Sequence, residues 1–275
     1  MKLHARLFRI LMILLFWLVC QTTVLAQVRF LSWNIENFGQ SKSECEIAYM
    51  SCILSSYDLI ALQEVVAGYG GAQAVARLAD ALNRNGSGWQ YVISDPTSGN
   101  PHSRERYAFL WKTAVVQLKG KPWLEPTYAI AIEREPYMAT FAYGQKEFTI
   151  ASFHALPKSR QPETEIKYLK FLPDLYPALN LVFAGDFNCP ESHTVFNPLK
   201  KMDYIPALRK QKTSLRQKCL NNDCLASEFD NIFYNSHSIS VSRSGVVHFY
   251  EDFAEVKQAS KLSDHVPIWI ILEPL

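Results

Sequence analysis

LVFAGDFNCP, residues 181–190, starts as a strand shaped for burial and then presents Asp186 and Asn188. Asp and Asn are poor strand formers, so a carboxylate and a carboxamide at the end of a core strand need a cause. A turn is the dull cause, since both residue types favour turns. The same ending recurs elsewhere, however. WNIENF carries Asn34 and Glu36, LIALQEV ends near Glu64, and KEFTIASFHA ends near His154. FDNIFYN begins at Phe229 and continues with Asp230 and Asn231, and SDHVP sets Asp264 and His265 before the last apolar run. A fold that aligned these strand ends would gather all of these groups at one rim.

Such a rim has a definite chemistry. Carboxylates crowded into a poorly hydrated pocket repel one another and rise in pKa. A divalent cation relieves that repulsion, and ligands drawn from Asp, Glu and Asn oxygens suit Mg²⁺ or Mn²⁺, with Ca²⁺ as a third candidate, rather than zinc. Two histidines beside it supply an acid and a base near neutral pH. Together with nearby arginine, this set points to attack by water on a phosphate ester.

Working outward, the strand-like segments outnumber the helical ones. WQYVISD and RYAFLWK read as successive strands, YMATFAY and KEFTIASFHA as a hairpin around Gly144 and Gln145, and HVPIWIIL as the last strand. SECEIAYMSCILSS and GAQAVARLADALNRNG carry helical spacing. PETEIKYLKFLPDLYPAL reads as a further helix with Pro162 early, and LRKQKTSLRQKCLNND as a long polar loop. No repeat or linker divides residues 27–275, so the expectation is one α/β domain with two packed sheets and outer helices.

Residues 1–26 stand apart. A basic start with Lys2, Arg6 and Arg9, an apolar run to Cys20, and small residues at Val24 and Ala26 read as a secretory signal peptide cut after Ala26. The uninterrupted apolar part is shorter than a spanning helix needs, so no stable membrane association is expected after cleavage. The destination is secreted or periplasmic. Without those three cations, 25 basic residues face 26 acidic ones, so a polyanion must be met by a local patch. One candidate patch is Lys200, Lys201, Arg209, Lys210, Lys212, Arg216 and Lys218, with Asp203 as the one acid among them; the alternative is a solvated face. Lys158 and Arg160 could extend it, and Tyr69 and Trp89 are candidate stacking platforms for single strands. Export permits disulfides. Cys219 could pair with Cys224, or one of them with Cys189, whereas Cys45 and Cys52 cannot bond along one straight helix.

The motifs WNIENF, LIALQEV, RERYAFLW, REPYMATF, SFHALP, AGDFN and LSDHVPI resemble, in that order, the endonuclease/exonuclease/phosphatase superfamily, and most closely its deoxyribonuclease I branch. The resemblance spans roughly residues 28–272 and implies a four-layered α/β sandwich, two packed mixed β-sheets flanked by helices. It implies that Asn34, Glu64 and Asp264 hold the metal. It makes His265 the general base, oriented by Asp230, and His154 the general acid, paired with Glu105. It gives Asp186 and Asn188 the placing of phosphate and metal, and Arg134 a substrate phosphate. The implied activity is a metal-dependent nuclease with little sequence preference, acting on DNA rather than RNA. Rival readings are a phosphoesterase acting on phospholipid head groups or phosphoinositides, and a non-catalytic binding module. One departure stands out: where that branch carries a groove-reading Arg and Tyr, this chain has Val66 and Ser103.

Overall fold

The structure is a computed structural model and describes residues 27–100, 103–221 and 223–275. The segment read as a signal peptide lies outside the described residues. Two six-stranded sheets dominate. The first runs in the order β13 (Ile239–Val246), β14 (Ile268–Pro274), β1 (Val28–Phe38), β2 (Leu59–Val66), β4 (Glu105–Lys112) and β3 (Trp89–Ile93). The second runs β5 (Gln117–Leu124), β6 (Tyr137–Tyr143), β7 (Lys146–His154), β8 (Leu181–Asp186), β12 (Asp230–Asn235) and β9 (Tyr204–Pro206). Each sheet is mixed: β1 and β2 pair in parallel in the first, β7 and β8 in the second, and the remaining pairs are antiparallel.

Period-two alternation divides the side chains of each strand between two cores. In β1, Val28 and Phe30 face the second sheet while Leu31 and Trp33 face outward. In β8, Val182 and Ala184 face the first sheet while Leu181 and Phe183 face outward. Both faces are covered, which is why these central strands read as unbroken apolar runs. Helices Glu44–Leu54 and Gly71–Arg84 cover the first sheet. Short turns of helix, among them Glu163–Ile166 and Asn197–Lys200, cover the second. The result is the four-layered α/β sandwich.

The expected helix at residues 162–179 is instead three short pieces, Glu163–Ile166, Leu169–Phe171 and Leu172–Leu175. Pro173 has no N–H to continue an earlier turn, and the chain restarts there. The expected loop at 208–223 contains β10 (Leu215–Leu220), which pairs with β11 (Asp223–Leu225) in a ribbon closed by the Cys219–Cys224 disulfide. Cys45, Cys52 and buried Cys189 are free. Strands β5, β9 and β13 went unread; all sit at sheet edges, as does β3, which its aromatic and β-branched residues still marked. Edge strands tolerate polar residues, Gly and Pro, as in QLKGKPWL, and so lose the apolar signature.

One glycine is imposed by sheet geometry. Gly185 lies at φ +140°, and a Cβ there would stand 1.9 Å from the carbonyl oxygen of Phe153 on the neighbouring strand. Gly185→Ala is expected to destabilise the fold by about 2–4 kcal/mol, because backbone rather than a flexible side chain blocks the methyl. Urea denaturation measures it, and an unchanged midpoint would mean that β7 and β8 can separate without penalty.

Candidate active site

The two parallel pairs set the site. β1, β2, β7 and β8 all end at the same edge of the sandwich, where β4 and β12 begin, so residues far apart in sequence arrive together. His154 pairs in register with Asp186, and Asp186 with Asp230. Glu64 reaches the rim through irregularity: the register of β2 shifts on both sides of it, and its φ is +59°. A non-glycine residue held in the left-handed region points to a site worth its strain. Gln63, directly before it, turns inward instead and donates to Ser32 and Ser152.

Two histidine–carboxylate pairs face each other. His154 Nδ1 lies 2.8 Å from Glu105 Oε2, and His265 Nδ1 lies 2.7 Å from Asp230 Oδ2. With each Nδ1–H given to a carboxylate, each Nε2 points into the site. Both Nε2 atoms approach one atom, Asp186 Oδ2, at 3.5 Å from His154 and 3.6 Å from His265. Asn34 Nδ2 donates to Asp186 Oδ2 at 3.2 Å and to Glu64 Oε1 at 3.0 Å. Asn188, at φ +49°, donates its backbone N–H to Asp186 Oδ1 and its amide to Asp186 Oδ2 and the carbonyl of Ala155.

The electrostatics separate the two imidazoles. Burial, reinforced by the Arg134 guanidinium, pushes the His154 pKa down to about 4. Burial also disfavours charge on His265, but Asp230 and Asp186 together outweigh it and hold His265 well above the usual imidazole range. The chain by itself therefore keeps His154 neutral and His265 charged. Burial raises Asp186, and it raises Glu105 to about 7 against the opposing pull of Arg134.

The donor set fits a hard cation. The Asp186, Asp230 and His265 ligand atoms all lie within 4.8 Å of one another. Asp230 Oδ2, though, already accepts from His265 Nδ1 and from Thr213 Oγ1, so it is committed to orienting the ring. The oxygens left for a cation are those nearer solvent. Glu64 is partly exposed, and the Asp264 side chain is 52% exposed with Oδ1 3.9 Å from His265 Nε2. Glu36 joins them; burial and then the charges of Asp264 and Glu64 raise its pKa, the repulsion that a cation relieves. Asn34 presents its amide nitrogen to the acids, because Oδ1 accepts the Glu36 N–H at 3.1 Å.

Arg134 is buried against Glu105, with Nη1 3.3 Å from Oε2 and Nη2 donating to the carbonyl of Ala155. It sits on the wall of a cleft shared with Glu64, Val66 and Ser103. Asn231, expected at the rim, hydrogen-bonds the backbone of Leu208 instead. Several supporting residues were not singled out from the sequence. Tyr107 donates to the carbonyl of Arg134 and accepts the His154 N–H. Ser263 donates to the carbonyl of Asn34 and accepts the His265 N–H. Lys42 Nζ donates to the carbonyls of Lys261 and Leu262, just before that turn. Tyr107 and Ser263 lie inside the quoted motifs RERYAFLW and LSDHVPI, while Thr213 and Lys42 leave no local signal.

The basic run is partly neutralised in space. Lys200 pairs with Glu191 at 2.8 Å and Lys212 with Asp223 at 2.5 Å, and neither acid belongs to the run. Arg209, Lys210 and Lys218 stay exposed. Arg160 pairs with Glu133. Trp89 is 5% exposed and packs in the core, so it offers no stacking face, whereas Tyr69 is 79% exposed.

The sequence matches the Endonuclease/Exonuclease/phosphatase family across residues 31–265, and the chain belongs to that family. A deoxyribonuclease of Thioalkalivibrio sp. (strain K90mix) is 27% identical over 272 residues, covering 92% of this chain and 73% of that protein. Deoxyribonuclease gamma of Rattus norvegicus is 29% identical over 269 residues, covering 88% of this chain and 83% of its own length. These similarities set the chain near the deoxyribonuclease I branch. Among solved structures, an endonuclease/exonuclease/phosphatase family protein of Bacteroides thetaiotaomicron has a TM-score of 0.66 at 16% identity, over 90% of this chain and 97% of that one, a likeness of fold.

The Arg134–Glu105–His154 chain of contacts is buried, so its members depend on one another. Glu105→Leu leaves Arg134 without its carboxylate and is expected to cost about 3–5 kcal/mol of stability. Chemical denaturation of the variant measures this, and a loss below about 1 kcal/mol would show that Arg134 finds water or another acid.

Proposed function

We propose that this protein is a divalent-metal-dependent nuclease that hydrolyses phosphodiester bonds in nucleic acid, DNA in preference to RNA, with little sequence preference. The observation that carries this reading is the convergence of two oriented imidazoles on Asp186 Oδ2, at 3.5 and 3.6 Å. Two proton-transfer groups on either side of one small space suit an in-line displacement at phosphorus. One imidazole takes the proton of the attacking water as the new P–O bond forms. The other gives a proton to the leaving alkoxide oxygen as the old P–O bond breaks. Similarity to two deoxyribonucleases supports nucleic acid as the substrate.

In this reading Glu105 and Asp230 fix the ring tautomers, and Asp186 and Asn188 place the phosphate and order the space between the rings. Arg134 stabilises charge on the phosphate from its buried position. Glu64 and Asp264 would hold the cation, Mg²⁺ or Mn²⁺ by the hardness of these donors, and Asn34 would join them by turning its amide so that Oδ1 faces the acids. When bound there, it would supply positive charge to a phosphate oxygen and offset the carboxylate field on His265. That offset is what the expected assignment needs, with His265 as base and His154 as acid. The chain's own charges favour the opposite order.

His154→Ala and His265→Ala are each expected to lower the cleavage rate of plasmid DNA by about 10²–10⁴-fold with the fold retained by circular dichroism. In the same assay, chelator should abolish wild-type cleavage and Mg²⁺ or Mn²⁺ should restore it. Full activity in either variant, or turnover in chelator, would defeat the mechanism. RNA and sphingomyelin run alongside test the substrate class.

We also propose that the chain is exported, with residues 1–26 removed. The Cys219–Cys224 disulfide supports this, since such bonds persist in oxidising compartments. No helix among the described residues is long and apolar enough to cross a membrane. Mass spectrometry of protein recovered from the periplasm or medium should find a chain beginning at Gln27; a full-length species there would contradict cleavage.

A further inference from the structure

We propose that the cleft beside Glu64 binds the nucleotide next to the scissile phosphate, with Arg104 anchoring that nucleotide's own phosphate. The inference rests on the nuclease reading above and adds a subsite to it. The cleft has a volume of ≈ 340 Å³ and shares Glu64, Glu105 and Arg134 with the catalytic cluster. That size falls within the roughly 300–1,000 Å³ range of small-ligand clefts. A strand whose scissile phosphate lies between the two imidazoles continues into this space.

Two arginines line the cleft, and their situations differ. Arg134 is buried and engaged by Glu105 and by the carbonyl of Ala155. Arg104 is exposed, and its Nε donates to the carbonyl of Gly99 at 2.9 Å. That bond orients the guanidinium and leaves both terminal nitrogens for an incoming group. Among the described residues no carboxylate forms an ion pair with Arg104. An oriented guanidinium without a counter-ion, beside an acidic cluster, fits a phosphate well: its paired N–H groups match two phosphate oxygens.

The rest of the lining suits a strand lying in the cleft. Val66 and Ser103, both in the lining, are short, so neither reaches out to enter a duplex groove. Gly68, also in the lining, has no side chain to narrow the entrance. The subsite therefore favours a single strand or a locally opened duplex.

The experiment compares Arg104→Gln and Arg104→Lys with wild type on two substrates, single-stranded DNA and bis(p-nitrophenyl) phosphate, the latter too small to fill the cleft. Arg104→Gln is expected to lower kcat/KM about tenfold more on the DNA than on the small diester. Binding of a short single-stranded DNA, followed by anisotropy in chelator across a salt series, should lose about 0.7 from its log–log salt slope in Arg104→Gln and recover it in Arg104→Lys. Equal losses on both substrates, or an unchanged slope, overturn the subsite while leaving the nuclease reading intact. A wild-type protein that cleaves plasmid DNA but neither of these substrates overturns the subsite, and one that cleaves none of the three overturns the nuclease reading and the subsite with it.

Discussion

The fit of Gly185 against the Phe153 carbonyl in the second sheet constrains what the site can be. β7 and β8 run in parallel with Phe153 opposite Gly185, and only a residue without a side chain fits there. That fit brings the next pair, His154 and Asp186, alongside each other, while β12 sets Asp230 across from Asp186. Three of the ionisable groups in the cluster thus take their places from main-chain ladders rather than from side-chain packing. Ladders are stiff, so the positions of the groups are set by the same hydrogen bonds that stabilise the core.

Placing ionisable groups on a ladder also means burying them, and the charges must then answer one another. Arg134 answers Glu105, and Asp230 and Asp186 answer His265. Asn34 and Asn188 supply further hydrogen bonds to Asp186. Toward solvent three acids crowd together: Glu36, Glu64 and Asp264 face Lys42, which is itself desolvated and tied to the carbonyls of Lys261 and Leu262, and His265 and Arg134, which also answer Asp230 and Glu105. The imbalance lies on the open side of the site, where a hydrated cation and a phosphate could enter. An interior imbalance of that kind would instead be removed by protonation.

How much of this was legible in the sequence follows from what each signal depends on. Central strands such as β8 are covered on both faces and announce themselves as apolar runs. The residues that break such runs, Asp186 and Asn188 among them, announce themselves as anomalies. Edge strands β5 and β13 carry polar residues and give no strand signal, and the ribbon of β10 and β11 hides in a basic stretch. Lys200 and Lys212 looked available because their partners, Glu191 and Asp223, lie outside the window that defined the run. Thr213 reaches Asp230 from 17 residues away, through a contact created by the fold. Local pattern thus picked out groups that converge at one edge, and long-range contact was needed to reveal what holds them.

Part of the backbone strain lies at the same edge, although Gln161, Asp203, Lys210 and Asn221 also hold positive φ. Asn37, Glu64 and Asn188 all hold positive φ without being glycine, and all three touch the cluster or its rim. At Glu64 a regular strand would have sent the side chain to one face of the first sheet, into apolar packing or toward the second sheet. The bulge turns the carboxylate out of the pleat and up to the edge, where Asn37 N–H and Asn34 Nδ2 take its two oxygens. β8 presents Asp186 in register, whereas β2 gives up regular pairing around Glu64 to present its acid. Each left-handed residue costs of order 1–3 kcal/mol, which the aromatic and aliphatic cores on either side of the sheets must cover. Stability of the sandwich and reactivity of its edge are therefore coupled: the heavily covered strands are the ones that can tolerate irregular ends.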